Sequence, residues 1–237
     1  MKQHHCFFYH YKQLANMKFY WIKTHWIVRK IFSNYIWKIP NTEKKIYLTF
    51  DDGPTPEITN WALDILKTYQ AKATFFCIGE NIAKNPTLFQ EILNQGHAVG
   101  NHTHKHLNGW HTADSDYLNN VEQCNKVIEK NKNQAPIFSK LFRPPYGKLT
   151  SKQVKLLKEQ GYKIIMWDIL SADFDTTITP KKCAENVLKN IQPGSIIIFH
   201  DSLKASKNLK VALPETLEYL KMKGYKMEAI KYIPEPN

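Results

Sequence analysis

No two cysteines in this 237-residue chain stand close enough to form a CxxC unit, since Cys6, Cys77, Cys124 and Cys183 are far apart. That spacing excludes a thiolate zinc site and a dense disulfide framework. Reduced thiols are expected, with Cys77 a small core residue inside an apolar run. Acidic residues are missing from residues 1–40, which instead carry Lys2, Lys12, Lys18, Lys23, Arg29, Lys30 and Lys38. More than half of the net charge of +12 therefore sits in that stretch. The rest of the chain is only mildly basic, which argues against a nucleic-acid partner. The most apolar part of the N-terminus, Trp26 to Ile39, is broken by Arg29 and Lys30, and no small-residue cleavage site follows it. It is neither a secretory signal nor long enough to span a bilayer. A cytoplasmic or membrane-surface location is expected, and Met17 is an alternative start. Repeats of solenoid period and low-complexity tracts are absent.

What is present suits one globular domain. A hydrophobic fraction of 43% with 13% aromatics supplies a sizeable core. The chain divides into a basic, aromatic extension over 1–40 and a domain over 41–237. The extension is read as an ordered lead-in that packs aromatic side chains on the exterior. The alternative is peripheral contact with an anionic membrane surface.

Beyond Pro40, short apolar runs alternate with helical stripes. The runs are Ile46 to Phe50, Ala73 to Ile78, His97 to Gly100, Leu141-Phe142, Ile164 to Trp167, Ile196 to Phe199, and Tyr225 to Ile230. Continuous rather than alternating apolar runs suit parallel strands buried on both faces. Ile58, Trp61, Ala62, Ile65, Leu66 and Tyr69 make one helical stripe, with others in 114–131, 151–160, 181–191 and 214–223. Gly96, Gly161 and Gly224 fall where helices should stop. The expected fold is α/β, a distorted (β/α) barrel of about seven parallel strands, similar to a TIM barrel. Function should then sit at the C-terminal ends of the strands.

The unusual polar residues fall there. Asp51 and Asp52 end the first run and are followed by Gly53-Pro54; two adjacent carboxylates stay ionised only beside a cation, alone or with an arginine. A solvated turn is the alternative for that pair taken alone. His102 and His106 lie at i, i+4, a zinc-ligand spacing if the backbone makes a helical turn, while His104 points away as a bystander. Two imidazoles and one carboxylate make a three-ligand open site of the kind a catalytic zinc uses to activate water. Arg143 begins a rigid Pro-Pro-Tyr-Gly turn, and His200 ends a strand, where it can act as an acid or base.

Together, TFDDG, HTxxH, RPPYG and a strand-terminal apolar-x-His resemble, in order, the motifs of the polysaccharide deacetylase family (NodB homology domain, carbohydrate esterase family four). The similarity spans roughly Lys45 to Ile230. It implies that Asp52, His102 and His106 bind a divalent metal, Zn²⁺ first and Co²⁺, Ni²⁺ or Mn²⁺ as alternatives. It implies that Asp51 is the general base, paired with Arg143, and that the Tyr146 backbone N–H helps to hold the oxyanion. His200 becomes the general acid, kept protonated by Asp173. Pro144, Trp167, Phe174 and Ile198 become the substrate pocket, with Ile198 against the acetyl methyl. The family's Asp-x-x-Asp-Trp is altered here: Leu170 replaces its first acid and Phe174 its tryptophan. The implied activity is metal-dependent removal of N-acetyl groups from an N-acetylglucosamine glycan by a monomer. An O-acetyl xylan esterase and a catalytically silent carbohydrate-binding module are the alternatives.

Overall fold

The computed structural model describes residues 20–133 and 140–231. Cys6, Met17 and the exit segment 233–237 lie outside the described residues.

Among the described residues there are eight strands: β1 (Lys45–Asp51), β2 (Ala73–Cys77), β3 (Ala98–Asn101), β4 (Leu141–Phe142), β5 (Lys163–Ile164), β6 (Ile169–Leu170), β7 (Ile196–His200) and β8 (Lys226–Met227). They form one sheet in the order β5-β4-β3-β2-β1-β7-β6, with β8 added beside the start of β1. Every pairing is parallel. Seven strands thus curl into an incomplete barrel, because β5 and β6 end the path without pairing with each other. β1 lies in its interior, paired with β2, β7 and β8, and is buried from Ile46 to Asp51. Phe50 stacks on Phe75 at 4.9 Å and on Phe199 at 6.0 Å, locking three adjacent strands together.

The helices are α1 (Trp26–Ile31), α2 (Ile58–Thr68), α3 (Gly79–Lys84), α4 (Pro86–Asn94), α5 (Asp114–Asn131), α6 (Ser151–Glu159), α7 (Pro180–Leu188) and α8 (Ser206–Met222). Local signals set several of their ends. Thr150 and Gln153 form a reciprocal capping box at the start of α6. Thr179 caps α7 ahead of Pro180. The three expected stop glycines, Gly96, Gly161 and Gly224, adopt φ of 79, 84 and 69°. α8 starts eight residues before the stripe at 214, with Pro214 inside it. The proline removes one hydrogen bond, and the carbonyl it leaves, that of Lys210, belongs to a solvent-exposed residue. α3 and α4 were not legible as stripes; the run Ile164 to Trp167 supplies only the end of β5 and a bridge at Ile165, and β6 lies beyond it, on no run read from the sequence.

The described part of the extension enters the sheet. Ile36 forms a parallel bridge with Ile165, and Lys23 an antiparallel bridge with Ile169. The Ile36 N–H donates to Ile164 O at 2.9 Å, and the Leu170 N–H to Ile22 O at 2.8 Å. The segment 20–36, a strap, therefore covers both open edges of the curled sheet through residues 22–36, edges that would otherwise present unpaired backbone groups. The buried Asp168 carboxylate fixes this strap, accepting from Lys23 at 2.6 Å, Arg29 at 3.5 Å and the Ser195 hydroxyl. Outward-facing aromatics account for only part of what this stretch does.

No helix among the described residues is long and apolar enough to cross a membrane. Cys77, Cys124 and Cys183 are free and buried.

Candidate active site

Asp51, Asn101, Phe142, Leu170 and His200 close β1, β3, β4, β6 and β7, and the polar residues follow directly at the same rim. Backbone strain gathers here. Asp52, Thr103, His106, Tyr146 and Ala172 hold φ between 54 and 84° without being glycine. Such conformations cost roughly 1–3 kcal/mol each and persist where surrounding contacts over-determine them. His102 and His106 do not share a helical turn, as their i, i+4 spacing suggested. Residues 102–108 form an irregular loop, and left-handed Thr103 and His106 bring the two rings to 5.1 Å between centroids.

The His102 ring is buried, and its Nδ1 lies 2.7 Å from the Arg143 carbonyl oxygen. That oxygen can only accept, so Nδ1 carries the proton and the lone pair of Nε2 faces the cavity. Burial also pushes the imidazole down to about 4, keeping it neutral, as a ligand must be. His106 Nδ1 is 3.2 Å from the Tyr146 hydroxyl. Its Nε2 lies 3.3 Å from Asp52 Oδ1, and His102 Nε2 lies 3.8 Å from the same oxygen. Burial opposes charge on Asp52, but the His106 hydrogen bond and the His200 charge outweigh it and hold the carboxyl below its usual range.

These three residues offer ligand atoms that all lie within 4.8 Å of one another, so they could hold a metal ion. Tetrahedral ligands about 2.0–2.1 Å from zinc stand about 3.3 Å apart, close to what the side chains already show. Asp52 Oδ1 is shielded from solvent and has no hydrogen-bond partner. A buried carboxylate oxygen left that way is explained by a cation. The residues fit the ion.

Beside them, Asp51 is 2% exposed and accepts from Arg143 Nη1 at 2.7 Å. Arg143 is itself wholly buried. Its remaining donors reach the Thr49 hydroxyl at 2.7 Å, Met166 O at 2.8 Å and Ile165 O at 3.1 Å, while its plane lies 4.2 Å from the Phe76 ring. Across the cavity, His200 Nδ1 is 2.8 Å from Asp173, whose other oxygen accepts the His200 backbone N–H. Burial works against the cation on His200, but the Asp173 carboxylate prevails and raises the imidazole to about 9.

A cavity of about 500 Å³ joins these groups. Asp51, Asp52, His102, His106, Tyr146 and His200 line it, together with Pro144, Trp167, Phe174 and Ile198. Arg143 and Asp173 stand behind the wall, each touching the group it was paired with in the sequence. Leu170 fills wall space where the family pattern carries an acid, and Phe174 meets His200 edge-on at 5.2 Å.

Several contributors went unread. Asp201 is buried and pushed up to about 7 by desolvation and the nearby Asp52 charge. It accepts from the Gly53 N–H at 3.0 Å and from the Thr59 hydroxyl, which fixes the turn after Asp52. A Cβ at Gly53 would overlap the Asp201 carboxylate, so glycine is needed there. Asn208 donates to the carbonyls of Asp173 and Asp175 at 3.0 Å each, steadying that loop. Tyr20, from the strap, lines the cavity and bonds Asp175 at 3.0 Å. Two signals were available: Thr49 is the single polar residue in an otherwise apolar run, and Asp201 directly follows a strand-end histidine.

A curled parallel sheet with this acid–histidine arrangement at its mouth defines a class, and the chain belongs to it: the polysaccharide deacetylase family, whose profile matches residues 38–165. A peptidoglycan-N-acetylglucosamine deacetylase of Bacillus cereus is 36% identical over 195 residues, covering 82% of this chain and 90% of the relative. A chitooligosaccharide deacetylase of Azorhizobium caulinodans is 32% identical over 164 residues, covering 69% and 77%. Among solved structures, a peptidoglycan N-acetylglucosamine deacetylase superposes with a TM-score of 0.79 at 32% identity, covering 87% of this chain and 95% of that one.

Proposed function

We propose that this protein hydrolyses the N-acetyl amide of N-acetylglucosamine residues in an oligo- or polysaccharide, releasing acetate and a free amine. The observation that carries this reading is a base and an acid facing each other across one cavity: Asp51 held by Arg143, and His200 held by Asp173. Residues 41–237 carry the chemistry, and the strap supplies Tyr20.

Asp52, His102 and His106 would hold a divalent ion, Zn²⁺ being the best match to two nitrogens and one carboxylate, with Co²⁺, Ni²⁺ and Mn²⁺ as alternatives. When bound, such an ion supplies Lewis-acid stabilisation of negative charge on the acetyl oxygen. Asp51 takes a proton from the attacking water as the new C–O bond forms. Its Arg143 partner holds it aimed. The Tyr146 backbone N–H is assigned to the developing oxyanion, a donor type worth about 3–4 kcal/mol. His200 delivers its proton to the sugar nitrogen as the C–N bond breaks. An amide needs that delivery, because an unprotonated amine is a poor leaving group. Ile198, Leu170 and Phe174 enclose the methyl end, with Pro144 and Trp167 forming the outer wall.

The test compares acetate released from chitooligosaccharides with that from acetylxylan. Amide cleavage should dominate. Acetate from xylan alone would make the protein an O-acetyl esterase, and acetate from neither would make it a binding module.

The acid assignment carries a pH signature. His200 acts only as the imidazolium, which persists up to about 9. kcat/KM is therefore expected to fall on the alkaline side through that value. Asp173→Asn removes the charge that raises the imidazole, leaving burial to lower it, so this limb should move to lower pH. An unmoved limb would assign it to another group.

Outside the cavity, Trp26, Ile27, Ile31 and Phe32 are exposed beside Lys30, which supports peripheral membrane contact, the alternative weighed for the extension. The protein is taken to act as a monomer.

A further inference from the structure

A second cavity, of about 400 Å³, opens beside the catalytic one and shares Tyr20, Tyr146, Trp167 and Leu170 with it. Its outer walls come from two unrelated parts of the chain. One is the strap, which contributes Trp21 and lies before residue 38, where the family match begins. The other is the single-turn helix Gly109–His111, which contributes Trp110. The two indoles are 52% and 60% exposed although both line a cleft. Trp110 is nevertheless held in place: its N–H donates to Leu149 O at 3.0 Å, and the Lys148 ammonium sits 4.7 Å from its ring centroid. A large aromatic group already fixed before binding loses little freedom when a ligand covers it.

The chemistry of these walls selects a class of ligand. Aromatic faces dominate, with an ammonium and backbone groups at the edge. A pyranose ring matches that pattern, since it offers an apolar C–H face for stacking and hydroxyls around its rim. We infer that this cavity is a subsite for a further sugar of the glycan, adjoining the residue whose acetamide lies between Asp51 and His200, with Trp110 and Trp21 as its stacking platforms. The inference rests on the deacetylase reading and adds to it that the strap helps to choose chain length.

Two substrates test it: penta-N-acetylchitopentaose, long enough to fill both cavities, and 4-nitrophenyl acetate, which reaches only the catalytic one. Trp110→Ala is expected to lower the ratio of kcat/KM for the pentamer to that for the ester about tenfold, through KM rather than kcat. Trp21→Ala, on a separate element, should act in the same direction. General damage to the fold would lower both substrates together, and an unchanged ratio in both variants overturns the subsite. A second readout does not need turnover. In the Asp51→Asn protein, pentamer should quench tryptophan fluorescence, and adding Trp110→Ala should weaken binding about tenfold; undiminished binding also overturns the proposal. The two failures separate cleanly. Trp110-dependent binding without acetate release defeats the deacetylase reading alone, whereas acetate release with an unaltered ratio defeats the subsite alone.

Discussion

Replacing Arg143 with alanine is expected to lower the melting temperature by roughly 6–20 °C, the counterpart of losing about 3–5 kcal/mol in a domain of this size. The side chain is wholly buried and its guanidinium meets Asp51, Thr49, Ile165 and Met166 together. Truncation leaves Asp51 buried without its counter-ion, two backbone carbonyls without donors, and a cavity beneath Phe76. Arg143→Lys should recover only part of the loss, because an ammonium cannot span the same four acceptors in a fixed plane. Thermal melts of the three proteins decide the matter. A shift of under about 2 °C for Arg143→Ala would mean that the buried pair contributes little to the fold.

The second large effect is on turnover. Asp51→Asn keeps the shape of the side chain and an oxygen for Arg143, but an amide cannot take the proton from water. Acetate release should fall by about 10²–10⁴, the usual contribution of a positioned base. Asp52, His102 and His106 are untouched by the change, so metal retention should be unaltered. Acetate and metal measured on the same sample separate the two roles of the adjacent carboxylates. Activity within a few-fold of wild type would remove Asp51 as the base, and loss of the ion would make it a ligand.

Strand identity was legible where apolar runs were long. β1, β2 and β7 each carry a largely apolar stretch of four or more residues, and their buried patterns match it. β4 coincides with the short run at Leu141-Phe142, whereas β5 and β6, also of two residues each, are too short for periodicity to place them. The chemistry at the rim was legible because Asp51, Asp52, His102, His106, Arg143 and His200 sit next to strand ends that the apolar runs had already located. The path that brings His102 to His106 was not, since their spacing suits a helix and only left-handed Thr103 and His106 show the loop. Asp201 and Asn208 escaped notice for a related reason: each acts on partners far away in sequence, Gly53 and Thr59 in one case, Asp173 and Asp175 in the other. The strap escaped because the bonds that seat it on the sheet edges come from backbone, and its composition, basic and aromatic, resembles a surface segment.

The most direct check is elemental analysis of the purified protein before and after metal loading, with Asp52→Ala and His102→Ala beside it. One tightly held divalent ion per chain in the wild type and in Asp51→Asn, lost from both other variants, is the expected result. Equal metal content in all four proteins, or none in any of them after loading with zinc, cobalt, nickel or manganese, would contradict the account at its base.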